Sequence, residues 1–284
     1  MQKILNRIII IILSLWLVVY GASPLIVQAA GSISISPTSG IPGTTVTVTG
    51  TSFSVNETGI MITYDSVQVG PLISANSTGG FSAAITVPLS ASGYHTIGAS
   101  GSSANQTFTV TPVITVSPSN GGTGTSVTIT GYGFGNGETG ISVNYDGAAV
   151  ASSITATAQG SWSSTVTIPA SASGFRTITA TGPSNTATTS FSVTPKIISN
   201  RASGAPGNSV TITGTGFSAS ETGITVTYDG TAVTTVPPSL SANAKGGWTA
   251  TFVVPASPSG PHTIDSYGSS TLVSSVPELT FTTS

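Results

Sequence analysis

One pattern occurs three times along the chain, and this repetition restricts the fold more than any other feature. The segments GTTVTVTGTSF, GTSVTITGYGF and GNSVTITGTGF begin at Gly43, Gly124 and Gly207. A repeat of about 80 residues is long enough to fold as a domain with its own core. We therefore expect three domains of the same fold, which we name module 1 (residues 31–112), module 2 (113–195) and module 3 (196–284).

Each module alternates apolar residues with Ser and Thr. In module 1, Val46 and Val48 alternate with threonines, and Ile60, Ile62 and Tyr64 occupy every second position of a later segment. This period of two is typical of a half-buried strand, and β-branched residues favour strands. About seven such segments per module, separated by Gly and Pro, predict an all-β immunoglobulin-like sandwich of two sheets. A closed barrel is the alternative.

The first thirty residues have the features of a signal peptide. Lys3 and Arg7 precede the apolar run IIIIILSLWLVVY, and small residues lie before Ala30. This order predicts export, and the run is short for a membrane span, although an uncleaved membrane anchor is the alternative. No second apolar run follows. We therefore predict a secreted, extracellular or cell-surface protein with no membrane segment after removal of the leader.

The boundaries between modules contain few spare residues. The segment TVTPVITVSP joins modules 1 and 2, and SVTPKIIS joins modules 2 and 3. A Gly/Ser-rich linker would be flexible, but these joints contain Val, Thr and Pro. We therefore expect the modules to form a semi-rigid rod.

The chemistry of the chain argues against several functions. It has no cysteine, and its six basic residues form no stripe of the kind that binds nucleic acid. His95 and His262 lie in different modules, and Arg176 takes their place in module 2. No Gly-x-Ser-x-Gly turn is present. We predict that the chain is not an enzyme; a glycosidase with paired carboxylates is the alternative, which the regular repetition of the acids disfavours.

The pattern SPTSGIPGTTVTVTGTSF…ITYDSVQV…FSAAITVP…HTI…FTVTP resembles the IPT/TIG family of immunoglobulin-like domains. The proline and the Gly-x-x-Val-x-Ile-x-Gly-x-Gly-Phe run carry the resemblance, which covers nearly all of residues 31–284. In extracellular bacterial proteins the resemblance implies stalks, spacers or adhesive modules. In other members it implies receptors or DNA-binding factors, and the scarcity of basic residues argues against DNA binding here.

Six of the eight acidic residues lie in the repeated strings NETGIMITYDS, GETGISVNYDG and SETGITVTYDG. Asp-Gly supplies the two positive-φ residues of a type I′ hairpin turn, which fits Asp146–Gly147 and Asp229–Gly230. Asp65–Ser66 fits this turn less well, so a different turn is expected there. The Asp residues are thus interpreted as turn residues.

The Glu of each ETG has two interpretations. Its carboxylate can accept loop amide hydrogens, or it can bind Ca²⁺, which prefers several oxygen ligands. Within a module, eight residues of strand separate Glu from Asp by about 26 Å. In a rod, however, Asp65 can approach Glu138, and Asp146 can approach Glu221. The two pairs are predicted Ca²⁺ sites, one at each junction between modules; we favour the structural interpretation, and no other cofactor is predicted.

Aromatic residues also recur at fixed positions. Phe81, Trp162 and Trp248 share one position of the repeat and are in phase with the apolar face of their strand. We therefore expect them in the core rather than stacked on sugars. Tyr64, Tyr145 and Tyr228 receive the same interpretation.

Module 3 departs from the repeat at DSYGSSTLVSSVPEL, where Tyr267, Leu272 and Val273 are candidate ligand-binding residues. Only 5% of all residues are charged, and Thr-rich edge strands without Lys favour lateral pairing. The predicted function is a non-enzymatic cell-surface structural or display protein, with self-assembly as a hypothesis. The alternative is an adhesin-type module whose loops bind a glycan or a protein. Predicted partners are a cell-surface polymer, a glycan, a protein or a second copy.

Overall fold

The computed structural model describes residues 31–103 and 105–284. The predicted signal peptide lies outside the described residues. Within these residues the chain is all-β apart from one helical turn, as the sequence predicts. None of the described helical residues form a segment long and apolar enough to cross a membrane.

Module 1 forms a two-sheet sandwich. Its strands are β1 (Ser32–Ser36), β2 (Ser39–Gly40), β3 (Thr45–Thr51), β4 (Ile62–Tyr64), β5 (Val67–Gln68), β6 (Phe81–Thr86), β7 (Gly93–Ala99) and β8 (Gln106–Val110). The order is β1-β3-β6 in one sheet and β2-β8-β7-β4-β5 in the other. In β3 the valines are buried and the threonines are exposed, as the alternation predicts.

Module 2 repeats this architecture. Its strands are β9 (Val113–Ser117), β10 (Asn120–Gly121), β11 (Ser126–Tyr132), β12 (Ile141–Tyr145), β13 (Ala148–Ile154), β14 (Trp162–Thr167), β15 (Gly174–Thr181) and β16 (Thr186–Val193). One sheet has the order β14-β11-β9, and the other has the order β10-β16-β15-β12-β13. β13 pairs along β12 from Ala148 to Ile154.

Module 3 has the same two sheets with one rearranged edge. Its strands are β17 (Lys196–Ser199), β18 (Ser203–Gly204), β19 (Ser209–Thr215), β20 (Thr222–Tyr228), β21 (Thr231–Ala232), β22 (Thr235–Val236), β23 (Leu240–Ser241), β24 (Trp248–Val253), β25 (Gly260–Tyr267) and β26 (Leu279–Thr283), with a 3-10 turn, η1, at Val273–Ser275. The sheets have the orders β17-β19-β24-β22 and β18-β26-β25-β20-β21, and β23 also pairs with β20.

The first strand of every module changes sheet partway. β1, β9 and β17 belong to the smaller sheet, whereas β2, β10 and β18 pair in parallel with the last strand of their module. This division of one strand into two explains why modules 1 and 2 have eight strands instead of the seven predicted segments; module 3 has two more, β22 and β23. The two-sheet sandwich is confirmed, and the barrel alternative is wrong.

The repeated aromatic residues lie in the cores. Phe81, Trp162 and Trp248 are at most 9% exposed, and the three repeated tyrosines are also buried. The rings of Phe81, Trp162 and Trp248 each lie over a glycine of the neighbouring strand, which is Gly50, Gly131 and Gly214 respectively. A Cβ on Gly131 would lie 2.2 Å from the Trp162 ring, and one on Gly214 would lie 2.1 Å from Trp248. The Thr-Gly pair of the repeat therefore provides space for the core aromatic ring.

The chain divides into two compact units. The described part of the first is 31–36, 47–85 and 96–106 without residue 104, and the second is 37–46, 86–95 and 107–284. Within the second unit, the Ser92 N–H donates to the Phe134 carbonyl at 2.9 Å. The Ser173 N–H donates to the Phe217 carbonyl at 3.1 Å in the equivalent way. A backbone N–H of module 1 thus donates to module 2, and the equivalent N–H of module 2 donates to module 3.

Candidate functional site

The Asp of each repeated string lies in a two-residue hairpin turn. Asp146 and Gly147 have φ values of 45° and 83°, and Asp229 and Gly230 have 49° and 75°. These values match the predicted type I′ turn. Asp65 and Ser66 adopt the same turn, with φ of 47° and 68°, so the expectation of a different turn in module 1 was wrong. A residue with a Cβ adopts these angles at a cost in conformational free energy, and Ser66 is such a residue.

The Asp side chains connect the turn to the next strand of the sheet. An Oδ1 of each Asp accepts the backbone N–H of a threonine at 2.9–3.0 Å, in the pairs Asp65–Thr96, Asp146–Thr177 and Asp229–Thr263. The Asp N–H donates back to the carbonyl of the same threonine. These threonines belong to the repeated HTI and RTI segments. The sequence predicted the turn, but not this partner, which lies 31 to 34 residues away.

A His or an Arg precedes each of these threonines. Arg176 donates to the Ala172 carbonyl at 2.6 Å and lies 3.5 Å from an Asp146 carboxylate oxygen. His262 bridges the same two kinds of acceptor: its Nδ1 is 2.6 Å from Asp229 Oδ2, and its Nε2 is 2.9 Å from the Pro258 carbonyl. His262 also stacks on Tyr228, with ring centroids 5.0 Å apart. Arg176 and His262 therefore each contact both the loop before their strand and the Asp of the hairpin turn.

The proximity of these acceptors changes two pKa values. The Pro258 carbonyl and then the Asp229 carboxylate raise the pKa of His262 above its ordinary value. The Thr263 N–H and then His262 lower the pKa of the Asp229 carboxyl. The two groups therefore stabilise each other's charged form.

The Glu of each ETG closes its own loop. The carboxylate accepts the N–H of the residue three positions earlier, which is Ser54, Gly135 or Ser218, at 2.7–3.0 Å. Glu138 also accepts the Ser184 N–H and the Asn185 side-chain amide. Glu221 accepts the Ser270 and Thr271 N–H groups, both at 2.6 Å, and the Thr271 hydroxyl. In modules 2 and 3 the Glu thus fastens the loop between the last two strands.

Burial and hydrogen bonding oppose each other at these carboxylates. Glu138 is 9% exposed and Glu221 is 4% exposed. Burial, the largest influence, raises their pKa, but the N–H and hydroxyl donors together outweigh it and lower the pKa of both. The glycines of ETG have φ between 66° and 76° and open space around them, so the left-handed backbone is what requires Gly59, Gly140 and Gly223.

The candidate Ca²⁺ ligands are therefore engaged in separate turns and loops. Asp65 and Asp146 hold their hairpins, whereas Glu138 and Glu221 hold loops of their own modules. The cavity beside Asp146, of about 270 Å³, is also lined by the cations Arg176 and Lys245. No group of three or more His, Asp or Glu residues able to hold a metal occurs within residues 31–103 and 105–284. Binding of Ca²⁺ by these four residues stays a prediction.

The predicted ligand-binding residues of module 3 lie on its surface. Tyr267 is 39% exposed at the end of β25, and Leu272 and Val273 are 70% and 47% exposed. Leu272 and Val273 belong to the loop that follows β25 and that Glu221 fastens. We call Leu272 and Val273 the apolar tip.

A second feature of module 3 was not predicted. A cavity of about 870 Å³, which we call the groove, is lined by apolar side chains including Val233, Val236, Phe252, Val253 and Pro255. Its size is typical of ligand sites. The sequence signal is the Pro237–Pro238 region, where module 3 has extra residues compared with the other two modules.

Three solved structures illustrate the similarity to other proteins. The Escherichia coli adhesin FdeC is 16% identical, with 90% of this chain and 98% of that chain covered, at a TM-score of 0.27. A putative membrane-anchored protein from Corynebacterium diphtheriae is 13% identical over 89% and 91%, with 0.28. The Bacteroides ovatus protein SGBP-B, solved with a mixed-linkage heptasaccharide, is 15% identical over 87% and 65%, with 0.32. These scores are too low to support an argument about function.

Sequence comparison identifies the domains. No curated protein is similar enough in sequence to this chain to count as a relative. The family model for the IPT/TIG domain matches residues 32–111, 112–197 and 192–282. Together these matches cover nearly all of the chain after the predicted leader. The chain therefore belongs to the IPT/TIG domain family, with three domains in tandem.

Proposed function

We propose that this chain is a non-enzymatic, exported cell-surface protein with a structural or display role. The observation that carries the proposal is that the repeated charged residues serve the scaffold. In all three modules the Asp fastens a hairpin to the next strand, and in modules 2 and 3 the Glu fastens a loop. Membership of the IPT/TIG family and the equivalent backbone contacts of Ser92 and Ser173 support a chain of similar domains.

Accessibility on intact cells tests this proposal. The full chain is produced in its host, and the cells are treated with an external protease. We expect the chain to be degraded on intact cells or recovered from the medium. A variant without residues 2–30 is the control, and it should be retained and protected inside the cell. If the full chain is equally protected, the proposal is wrong.

A second candidate function is an adhesin-type module that binds a glycan or a protein. The exposed tip of module 3 favours it, because Leu272 is 70% exposed on a loop that hydrogen bonds hold in place. This role is tested by comparing the full chain with the Leu272→Asp variant. Both are assayed for binding to arrays of glycans and of cell-surface proteins. Equal binding by both proteins would remove the tip from the function.

A further inference from the structure

The apolar tip of module 3 is a fixed feature rather than a loose loop. The Glu221 carboxylate binds the N–H groups of Ser270 and Thr271, directly before the tip. The Ser275 N–H and hydroxyl both donate to the Leu272 carbonyl, at 3.0 and 2.6 Å. Val276, directly after η1, is 4% exposed and belongs to the module core. Two large aliphatic side chains are therefore held in solvent by a rigid support.

The groove arises because an edge strand leaves its sheet. In module 2, β13 continues along β12 for seven residues. In module 3, β21 ends after two residues, and the chain then crosses to the other sheet, where β22 pairs with β24. The edge between the two sheets is thereby opened. Val236 and Val253 at this opening are 72% and 59% exposed.

The groove carries no unbalanced charge among its lining residues. Asp229 is the only charged one, and its carboxylate is paired with His262 and with the Thr263 N–H. The other lining groups are aliphatic side chains, two aromatic rings and hydroxyls. An aliphatic partner fits such a surface, because a charged partner would lose hydration without gaining a counter-charge.

The tip cannot reach the groove of its own module. The groove is lined by Asp229 and Pro258, near the Gly260 end of β25, whereas the tip follows Tyr267 at the other end. The eight residues of β25 separate these ends by about 23 Å. The hydrogen bonds of Glu221 prevent the tip from crossing that distance. The two apolar surfaces can therefore cover each other only between molecules.

We propose that the apolar tip of one copy, Leu272 and Val273, docks in the module 3 groove of a second copy. The contact joins two different surfaces, so each dimer keeps one free tip and one free groove and can add further copies. This inference rests on the proposed function and names a second copy as the partner of the chain. It also explains why two complementary apolar features occur in the same module.

Sedimentation velocity on the purified exported chain tests the inference. We expect the mean mass to rise with concentration. Leu272→Asp, which changes only the tip, and Val236→Asp, which changes only the groove, should each abolish the rise. Leu89→Asp is the matched control, because Leu89 is 57% exposed and belongs to neither surface. Circular dichroism should show that all three variants stay folded, since these side chains are exposed.

A mixture of the two variants gives the decisive result. The Leu272→Asp protein keeps its groove, and the Val236→Asp protein keeps its tip, so together they should form 1:1 dimers and nothing larger. A wild-type chain that stays monomeric, or association unchanged in both variants, would overturn the inference. Lateral strand pairing would give association that neither substitution affects. A monomeric chain that is still displayed on cells would leave the proposed function standing.

Discussion

His262 donates hydrogen bonds from both ring nitrogens to groups that can only accept, the Asp229 carboxylate and the Pro258 carbonyl. Only the protonated ring can donate both of these hydrogen bonds at once, because neutral imidazole has one N–H. The pKa of His262 is raised, so its contribution to stability is complete below about pH 6.5 and is lost as pH rises through the folded pKa. The pKa of Asp229 is lowered, so its contribution is lost only as pH falls below about 4.

We therefore predict that the stabilisation of module 3 by the His262–Asp229 pair, measured as melting temperature, is largest between about pH 4 and pH 6.5 and falls above this range. The His262→Arg variant is the matched control, because module 2 has Arg176 at this position and arginine stays protonated. In that variant the fall between pH 6 and 9 should disappear. Calorimetric scans at a series of pH values provide the comparison. An identical pH dependence in both proteins would show that the His262 pair has no such role.

The buried Glu221 carboxylate stabilises module 3 only as far as it accepts hydrogen bonds from the neighbouring N–H and hydroxyl groups. Replacing it with Gln directs an NH₂ group toward N–H donors and weakens the bonds to Ser270 and Thr271. We predict a loss of about 2 kcal/mol in the free energy of unfolding, measured with urea. Hydrogen exchange at the Ser270 and Thr271 amides should also become faster.

Glu57→Gln is the control for that experiment. Glu221 is only 4% exposed, whereas Glu57 is half-buried and its carboxylate accepts the Ser54 N–H. Its substitution should cost less than half as much. If both substitutions cost the same, the loop contacts of Glu221 are not the source of its effect.

At the scale of the strands, the hairpin turns offer a direct comparison between copies. Ser66 has a φ of 68°, whereas its counterparts are Gly147 and Gly230. We predict that Ser66→Gly stabilises module 1 by about 1 kcal/mol, because glycine adopts this backbone without a Cβ penalty. The reverse change, Gly147→Ser, should destabilise module 2 by a similar amount. Thermal unfolding measures both, and a loss of stability in Ser66→Gly would contradict the argument.

The glycine that faces each core aromatic ring leads to another prediction. Gly131→Ala places a methyl group 2.2 Å from the Trp162 ring. Such overpacking should destabilise module 2 by about 1–3 kcal/mol. Gly80→Ala is the control, because its nearest neighbours would be 3.5 Å away and its φ is not positive. Urea midpoints that fall equally in both variants would show that the space over Gly131 is not critical.

The elements also show how far the sequence leads. Alternation in TVTVT and the Asp-Gly pairs act within a few residues, so the strands, the core position of Trp162 and the hairpin turns could all be predicted. The partners of the carboxylates could not. Glu221 bonds to Thr271, 50 residues away, and Asp229 bonds to Thr263, 34 residues away. These contacts depend on how the strands are arranged, which no local pattern encodes. The groove depends on β21 leaving its sheet, and it was missed for the same reason.

For the whole molecule, the low charge determines how copies respond to salt. Removal of residues 1–30 would leave four basic and eight acidic residues, a small formal charge for a chain of this length, and Asp146 lies beside Arg176. Repulsion between copies is therefore weak, and the proposed tip-in-groove contact is apolar. Neither the repulsion between copies nor the apolar contact depends strongly on the screening of charges by salt.

We thus predict that raising NaCl from about 0.05 to 0.5 M changes the dissociation constant of the assembly by less than about threefold. Sulfate at equal ionic strength should strengthen assembly, because it favours burial of apolar surface. Sedimentation equilibrium in both salts gives the measurement, with the Leu272→Asp protein as the non-associating reference. Progressive dissociation in NaCl would mean that ion pairs, rather than Leu272 and Val273, hold the copies together. The assembly would then have to be assigned to the few exposed charges of the chain.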